Sequence, residues 1–289
     1  METDASQQTG FTTPAVHTGL LLGPPRSGTT LISHLLAGGD RVLSLSEPFL
    51  ARTTLPHWRL RRIFHYFQYT AGFRPRSAPY RGSLEEFSRF LRQMAVENDC
   101  HYLAIKETYR REGLIPQWRN EPLLDRLVQA ADGLVALIRH PYDIAASSIR
   151  LCRWATGFRS RILHLWWKTV PAFQNPTDVV RWAADNWVSY VQWIRPRGLT
   201  LLRYEDFVAD PHRQLPVVCR QLKVPFQKKM IDDKRRLNKV IGLGDPSLLV
   251  NVPPIHQNSV GHGRQLTDQQ QRIVRDACEH LAPEFDYSL

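Results

Sequence analysis

Gly23-Pro24-Pro25-Arg26-Ser27-Gly28-Thr29-Thr30 joins a short apolar segment to an amphipathic one. The preceding residues 19–22 are one glycine and three leucines, which is typical of a buried β-strand. The apolar residues between Leu31 and Leu36 recur with helical spacing, so we expect a helix directly after the loop. A loop in this position offers backbone N–H groups and the positive end of a helix to an anion. The stretch therefore predicts a phosphate-binding loop.

The spacing of the two glycines, G-x-x-x-x-G, matches the nucleotide-binding P-loop, but the residue after the second glycine does not. P-loop phosphotransferases carry a lysine at that position, where this chain has Thr29. The cation of this loop is Arg26, which lies between the two glycines. Its guanidinium can bind phosphate oxygens in a bidentate manner, so the loop can still hold a phosphate. A P-loop kinase or other nucleotide phosphotransferase, which would also need a magnesium-binding acid, stays the alternative function.

Short apolar runs alternate with helical patterns along the chain, which predicts an α/β fold: a single domain with a central parallel β-sheet flanked by helices. Four further strands are predicted, at residues 42–45, 102–105, 134–138 and 199–202. Helices are predicted to begin at the capping boxes of Ser83 and Thr267 and at Pro122 and Pro141. We place this domain at residues 19–289, after a flexible N-terminal segment at residues 1–18.

Charge and composition restrict the partners. Lys and Arg number 38 and Asp and Glu number 27, so the net charge of 38 − 27 = +11 favours an anionic partner. No recognised nucleic-acid module is present, and we expect a phosphorylated ligand rather than DNA or RNA. The cysteines are widely spaced, the histidines lack metal-ligand spacing, and no secretory signal or membrane-spanning apolar run occurs. We expect a cytoplasmic protein with no membrane span and no metal.

A second motif, Arg139-His140-Pro141-Tyr142-Asp143, follows the predicted strand at 134–138. Arg139 leaves that strand at the edge where the phosphate loop lies if the strands are parallel. Pro141 suits the first turn of a helix, where its missing N–H costs nothing. Ser147 lies eight residues after Arg139, so an arginine and a hydroxyl there could hold a second anion.

The two motifs, in this order and followed by Arg203-Tyr204-Glu205-Asp206, resemble the sulfotransferases that use 3′-phosphoadenosine-5′-phosphosulfate (PAPS). The resemblance covers residues 19 to about 270. With arginine at position 26, the loop is more similar to that of the tyrosylprotein and carbohydrate sulfotransferases and their bacterial relatives. The cytosolic aryl branch usually has Pro-Lys-Ser-Gly-Thr-Thr. The resemblance implies a single α/β domain, no metal, and transfer of a sulfuryl group to a hydroxyl by in-line displacement, with adenosine 3′,5′-bisphosphate as product.

The resemblance also implies roles for individual residues. The 5′-phosphosulfate would be bound by the phosphate loop, at Arg26, Ser27, Gly28, Thr29 and Thr30. The 3′-phosphate would be bound by Arg139 and Ser147, with Tyr204 near the adenine. A loop within residues 255–264, from Ser259 to Arg264, would close on the 3′-phosphate.

Sulfuryl transfer needs a base near the acceptor hydroxyl and cations near the sulfonate. The cytosolic branch places a histidine two residues after a strand-end lysine, and here Thr108 stands two residues after Lys106. The tyrosylprotein branch uses a glutamate just after the second strand, which makes Glu47 the first candidate for the base. Glu107 is the reserve candidate. Lys106 and Arg26 would stabilise charge on the sulfonate and the bridging oxygen.

The acceptor is not defined by the sequence beyond a hydroxyl on a small molecule, a peptide or a carbohydrate. Two aromatic segments, at residues 52–81 and 150–173, interrupt the alternation of strands and helices. They are either packing helices or a cover over a ligand cleft. A homodimer is left open.

Overall fold

The structure is a computed structural model that describes residues 15–49, 83–111, 120–157, 175–199, 201–232, 240–242 and 255–289. Residues 1–14 of the predicted flexible segment, the segment 52–81 and the greater part of 150–173 lie outside the described residues.

A six-stranded sheet forms the centre of the described structure, and all five neighbouring pairs of strands are parallel. The strands are β1 His17–Gly23, β2 Val42–Ser46, β3 Tyr102–Thr108, β4 Gly133–Ile138, β5 Leu201–Arg203 and β6 Val240–Gly242. Their order across the sheet is β5-β4-β1-β3-β2-β6. The predicted α/β fold is therefore confirmed, and β6 is a strand that the sequence pattern did not indicate.

Nine α-helices surround this sheet in the described part of the chain. They are α1 Thr29–Leu36, α2 Leu84–Glu97, α3 Glu121–Ala130, α4 Pro141–Gly157, α5 Pro176–Ile194, α6 Tyr204–Ala209, α7 Pro211–Gln221, α8 Lys229–Asp232 and α9 Asp268–Cys278. The predicted capping boxes of α2 and α9 are both present, with Ser83 and Thr267 as the N-caps. None of the described helices is long and apolar enough to cross a bilayer.

The central strands are apolar because helices cover both faces of the sheet. Alternate residues of β1 point to opposite faces, and Leu20 and Leu22 pack in one hydrophobic cluster with Phe87 of α2. Leu21 packs in a second cluster on the other face with Leu35 of α1. Burial on both faces fixes the register of β1, so the loop that follows Gly23 is anchored in a rigid position.

Strand boundaries differ from the predicted ones at two positions that concern the site. β1 begins at His17, so residues 17 and 18 belong to the sheet and not to the predicted flexible segment. β5 runs from Leu201 to Arg203, whereas the predicted strand was 199–202, and Tyr204 is the first residue of α6. β2 and β3 lie on one side of β1, and β4 and β5 lie on the other, so the direction in which the chain crosses the sheet reverses beside β1. In such sheets ligands bind beyond the carboxyl ends of the strands at this reversal.

Candidate active site

The phosphate loop turns sharply between β1 and α1. Arg26 and Gly28 both have left-handed backbone conformations, with φ angles of 70° and 97°. A Cβ atom on Gly28 would lie 2.3 Å from the ring of Tyr204, so glycine is required both by the backbone angle and by this close approach. No side chain caps the first turn of α1, where Thr29 and Thr30 are buried. The N–H groups of this turn therefore have the orientation that binds an anion at a helix N-terminus.

Ser27 supplies a polar atom to the loop that the protein itself does not satisfy. Its side chain is completely buried, and its Oγ has no hydrogen-bond partner in the described structure. Buried polar atoms are nearly always paired, and an unpaired one needs an explanation. An oxygen of an anion bound in the loop could supply the missing partner.

The structure brings the two predicted anion motifs into direct contact. Arg26 Nε donates a hydrogen bond to Ser147 Oγ over 3.0 Å, and Arg139 Nη1 donates to the carbonyl oxygen of Arg26 over 3.1 Å. Arg139 and Ser147 are both buried at the start of α4. The two motifs are far apart in sequence, but each follows one of two strands, β1 and β4, that are parallel neighbours in the sheet, and this brings the motifs together.

Ser259 is the residue of the predicted closing loop that reaches this cluster. Its carbonyl oxygen accepts a hydrogen bond from Arg139 Nη2 over 2.5 Å, and its hydroxyl lies 2.7 Å from the hydroxyl of Tyr204. The guanidinium of Arg139 lies 4.4 Å from the centre of the Tyr204 ring. Arg264, in the following 3₁₀ turn, is exposed. The structure therefore brings Ser259, Tyr204 and Arg139 together and leaves Arg264 at the surface.

Asp143 is a residue whose role the sequence did not indicate. Its carboxylate is buried and accepts hydrogen bonds from the backbone N–H of Gly261 over 2.9 Å and of Gly263 over 2.7 Å. A Cβ atom on Gly263 would lie 2.3 Å from that of Tyr142, so this loop packs directly against the first turn of α4. Asp143 thereby holds the Ser259 loop against the turn that carries Arg139.

Glu47 lies on the opposite side of the phosphate loop, directly after β2. Its φ angle of 54° is left-handed, and its backbone N–H donates to the carbonyl oxygen of Lys106 over 2.6 Å. A left-handed conformation is uncommon for residues other than glycine and recurs at functional sites. The side chain is buried and pairs with Lys106 Nζ, with Thr108 Oγ1 at 3.0 Å and with Arg110 Nη2 at 3.3 Å.

Opposing effects act on the pKa of the Glu47 carboxyl. Burial raises this pKa, but Lys106, Arg110 and the hydrogen bond from Thr108 outweigh burial and hold the pKa below its ordinary value of 4.5. Glu47 is therefore a carboxylate at neutral pH, as a general base must be. Lys106 is itself almost completely buried, so this pair forms a desolvated charge cluster at the end of β3.

This cluster predicts a pH dependence of stability. A carboxyl whose pKa is lowered by folding contributes stability above its unfolded pKa, and the contribution is lost as pH falls through the folded pKa. We expect wild type to exceed Glu47→Gln in free energy of unfolding by a constant amount above about pH 5, and by less with each step below pH 4.5. Urea unfolding of both proteins between pH 3.5 and 7 measures this difference. A difference that grows on acidification would show that the carboxyl is protonated more readily in the folded state.

Two asparagines hold the end of β3 in place, and neither was indicated by the sequence. Asn120 Nδ2 donates to the carbonyl oxygen of Thr108 over 2.7 Å, and its Oδ1 accepts from the N–H of Arg110 over 2.9 Å. Asn186 of α5 accepts from the N–H of Arg111 over 2.9 Å. These side chains fix the backbone from which Thr108 and Arg110 reach Glu47.

Glu107 has a different environment from Lys106 and Thr108, because successive residues of β3 point to opposite faces of the sheet. Its side chain is fully buried, and Oε1 accepts a hydrogen bond from the backbone N–H of Phe49 over 2.8 Å. Glu107 therefore anchors the chain just after Glu47, whereas Glu47 itself shares a cluster with Lys106. Within the described ranges, no group of His, Cys, Asp and Glu side chains is arranged to hold a metal ion.

Comparison with known proteins gives this site a family. Two sulfotransferase domains of known structure share the fold: one from the Synechococcus PCC 7002 olefin synthase has a TM-score of 0.57 at 19% identity and covers 98% of both chains. The other, from the curacin biosynthetic pathway, has a TM-score of 0.53 at 18% identity and covers 95% of this chain and 99% of that domain. No curated protein matches the sequence. Residues 20–228 match the model of the sulfotransferase family. The matched range includes the loop between β1 and α1, the Glu47–Lys106 pair and Arg139. The chain therefore belongs to the sulfotransferase family and is a transferase enzyme.

Proposed function

We propose that the enzyme uses PAPS as its donor and transfers the sulfuryl group to a hydroxyl acceptor. The observation that supports this proposal is the direct contact between the two predicted anion motifs, with Arg26 hydrogen-bonded to Ser147 and Arg139 hydrogen-bonded to the backbone of Arg26. A donor with a phosphosulfate and a separate 3′-phosphate matches two adjoining cationic sites. A nucleoside triphosphate carries its phosphates in one row and has no group for the second site.

The residues present fit such a donor. Ser27 Oγ and Arg139 Nε are buried without partners among the described residues, and each could pair with an oxygen of a bound anion. We assign Ser27, Gly28, Thr29 and Thr30 with Arg26 to the phosphosulfate, and Arg139 and Ser147 to the 3′-phosphate. Tyr204 packs on both Gly28 and Arg139, and we place it beside the adenine. In the closing loop we assign Ser259, and with it Arg264, to the 3′-phosphate side.

The donor supplies an activated sulfuryl group, and its transfer to an acceptor hydroxyl releases adenosine 3′,5′-bisphosphate. Glu47 would accept the hydroxyl proton while the hydroxyl oxygen bonds to sulfur. Lys106 and Arg26 would stabilise the negative charge that develops on the sulfonate and on the departing bridging oxygen. Lys106 also keeps Glu47 ionised before reaction, so one cation would serve both the base and the leaving group.

The alternative function, a P-loop phosphotransferase, is not favoured, because Thr29 occupies the lysine position and the family match is to sulfotransferases.

We propose a small-molecule, peptide or carbohydrate hydroxyl as the acceptor. The four cysteines are buried and form no disulfide bond with one another, which suits the proposed cytoplasmic location. The single-domain organisation and the homodimer stay predictions.

Binding of nucleotides tests the donor proposal. A ligand that binds only the folded state adds RT ln(1 + [L]/Kd) to the free energy of unfolding, so a tighter ligand raises the thermal midpoint more at the same concentration. We expect adenosine 3′,5′-bisphosphate to raise the midpoint and ATP, which lacks the 3′-phosphate, to raise it far less at the same concentration. Equal shifts from the two nucleotides would contradict the assignment of Arg139 and Ser147 and would support the phosphotransferase.

Arg139→Ala tests the second anion site directly. The change removes one cation from a buried phosphate, a charged hydrogen bond worth about 1.5–3 kcal/mol, so the Kd for adenosine 3′,5′-bisphosphate should rise by roughly tenfold or more. Isothermal titration measures this Kd, and Arg220→Ala, at an exposed arginine on α7, is the control. An unchanged Kd in Arg139→Ala would place the 3′-phosphate elsewhere.

A further inference from the structure

The turn that carries Arg139 is fixed by three contacts from distant parts of the chain. The carbonyl oxygen of Arg139 accepts a hydrogen bond from Trp187 Nε1 over 3.0 Å. The backbone N–H of the next residue, His140, donates to Glu205 Oε1 over 2.9 Å. The imidazole Nε2 of His140 lies 3.2 Å from the carbonyl oxygen of Ser288. The short connection between β4 and α4 is therefore anchored on both sides of the Arg139–His140 peptide.

Glu205 connects this turn to the segment 285–289. Its second oxygen, Oε2, accepts a hydrogen bond from the hydroxyl of Tyr287 over 2.9 Å. Tyr287 is 4% exposed, and its ring centre lies 5.1 Å from that of His140 and 4.9 Å from the guanidinium of Arg203. Burial and the neighbouring Glu205 both raise the pKa of Tyr287, so the phenol keeps its proton and acts as a donor to the carboxylate. One carboxylate thus holds the His140 N–H and the Tyr287 hydroxyl together.

Neighbouring residues at the start of α6 reach Arg139 in two different ways. Tyr204 lies against the guanidinium of Arg139 and reaches Ser259 with its hydroxyl. Glu205 instead contacts the backbone one residue after Arg139. The side chain of Arg139 is long, so a small rotation of its backbone moves the guanidinium by a much larger distance. Binding of a phosphate by a guanidinium depends on this geometry.

From these contacts we infer that Glu205 and Tyr287 are positioning residues that hold Arg139 in place for the 3′-phosphate of the donor. The inference rests on the proposed function, because it concerns recognition of the 3′-phosphate. It assigns to residues 285–289 a part in donor selectivity, although this segment lies after the last long helix and contributes no residue to the anion sites described above.

The test is the selectivity for the 3′-phosphate, measured with the full chain. The Kd for adenosine 5′-phosphate divided by the Kd for adenosine 3′,5′-bisphosphate isolates that group, since the two ligands differ only there. We expect Glu205→Ala to lower this ratio by about tenfold, and Tyr287→Phe to lower it by about threefold. Glu205→Gln keeps an oxygen that accepts the His140 N–H and should retain most of the selectivity.

A double-mutant cycle tests whether Tyr287 acts through Glu205. If it does, Tyr287→Phe should change the ratio little in the Glu205→Ala background. Tyr102→Phe is the matched control, because the ring of Tyr102 also lies beside a histidine, His17, but at the other end of the strands. The Kd for adenosine 5′-phosphate should stay within about twofold of wild type in all variants.

Outcomes of this experiment separate the inference from the proposed function. A wild-type ratio near one would refute the PAPS donor and the inference with it. A large wild-type ratio that Glu205→Ala and Tyr287→Phe leave unchanged would refute the inference alone. Equal weakening of both ligands would also overturn it, because that pattern indicates general loss of structure. If Glu205→Ala fails to fold, Tyr287→Phe compared with Glu205→Gln carries the same decision.

Discussion

Glu47→Gln is expected to slow sulfuryl transfer by about 10²–10⁴-fold, which is the range for loss of a general base. Glutamine preserves the size of the side chain and can still accept the hydrogen bond from Thr108, but it cannot take up the proton of the substrate hydroxyl. The single-turnover rate with labelled PAPS measures the effect. The Kd for adenosine 3′,5′-bisphosphate should stay close to that of wild type, because none of the contacts of Glu47 involves the two anion motifs.

Two comparisons sharpen this prediction. A phenolic acceptor is already acidic and should lose less rate than an aliphatic alcohol, which gives an internal control. Glu107→Gln is the matched variant, because Glu107 is also buried but hydrogen-bonds the N–H of Phe49 on the other face of β3. Near-parental turnover in Glu47→Gln together with loss of turnover in Glu107→Gln would assign the base to β3.

Lys106→Met should reduce the single-turnover rate by about 10²–10³-fold, which is the usual cost of removing one group that stabilises transition-state charge. The same change removes the closest cation from Glu47, so the pKa of Glu47 should rise and the acid limb of the pH–rate profile should move to higher pH. The pH–rate profile of the variant measures both effects. Lys228→Met, at an exposed lysine, is the control.

The direction of the pH shift distinguishes two roles for Lys106. A loss of rate with an unchanged acid limb would show that Lys106 does not act on the base. An unchanged rate would contradict its place in the reaction. Because the variant leaves Glu47 with Arg110 and Thr108 as partners, its carboxyl keeps two of the contacts seen in the structure.

The sequence was sufficient for most of the fold, because apolar periodicity and turn residues agree. The four central strands and the capped helices were all predicted within a few residues. The turn between β1 and α1 could be predicted because the glycines that mark it are local to it, whereas its role in binding phosphosulfate stays a proposal. β6 has only three residues and no pattern of its own, and it is defined by pairing with β2 at Ser44–Ser46. Such a strand depends on tertiary contacts that a single sequence does not display.

The sequence indicated the motifs of the candidate site but not the residues that hold those motifs in position. Arg26, Arg139 and Glu47 follow the carboxyl ends of three strands, so a parallel sheet places all three at the same edge. Asn120, Asp143 and Glu205 act through hydrogen bonds to backbone groups that are 10 to 120 residues away in sequence. An aspartate or asparagine with such a role looks like any helix-capping residue, because nothing local identifies its partner.

Transfer of labelled sulfate from PAPS by the wild-type chain tests the proposed donor and the proposed reaction together. The enzyme should be offered pooled metabolites and tyrosine-containing peptides, with EDTA present in a parallel reaction. We expect labelled product and adenosine 3′,5′-bisphosphate, with a rate that EDTA does not change, because the proposed mechanism takes its positive charge from Lys106 and Arg26. Transfer of the γ-phosphate of ATP in the same pools, abolished by EDTA and without sulfate transfer, would contradict it.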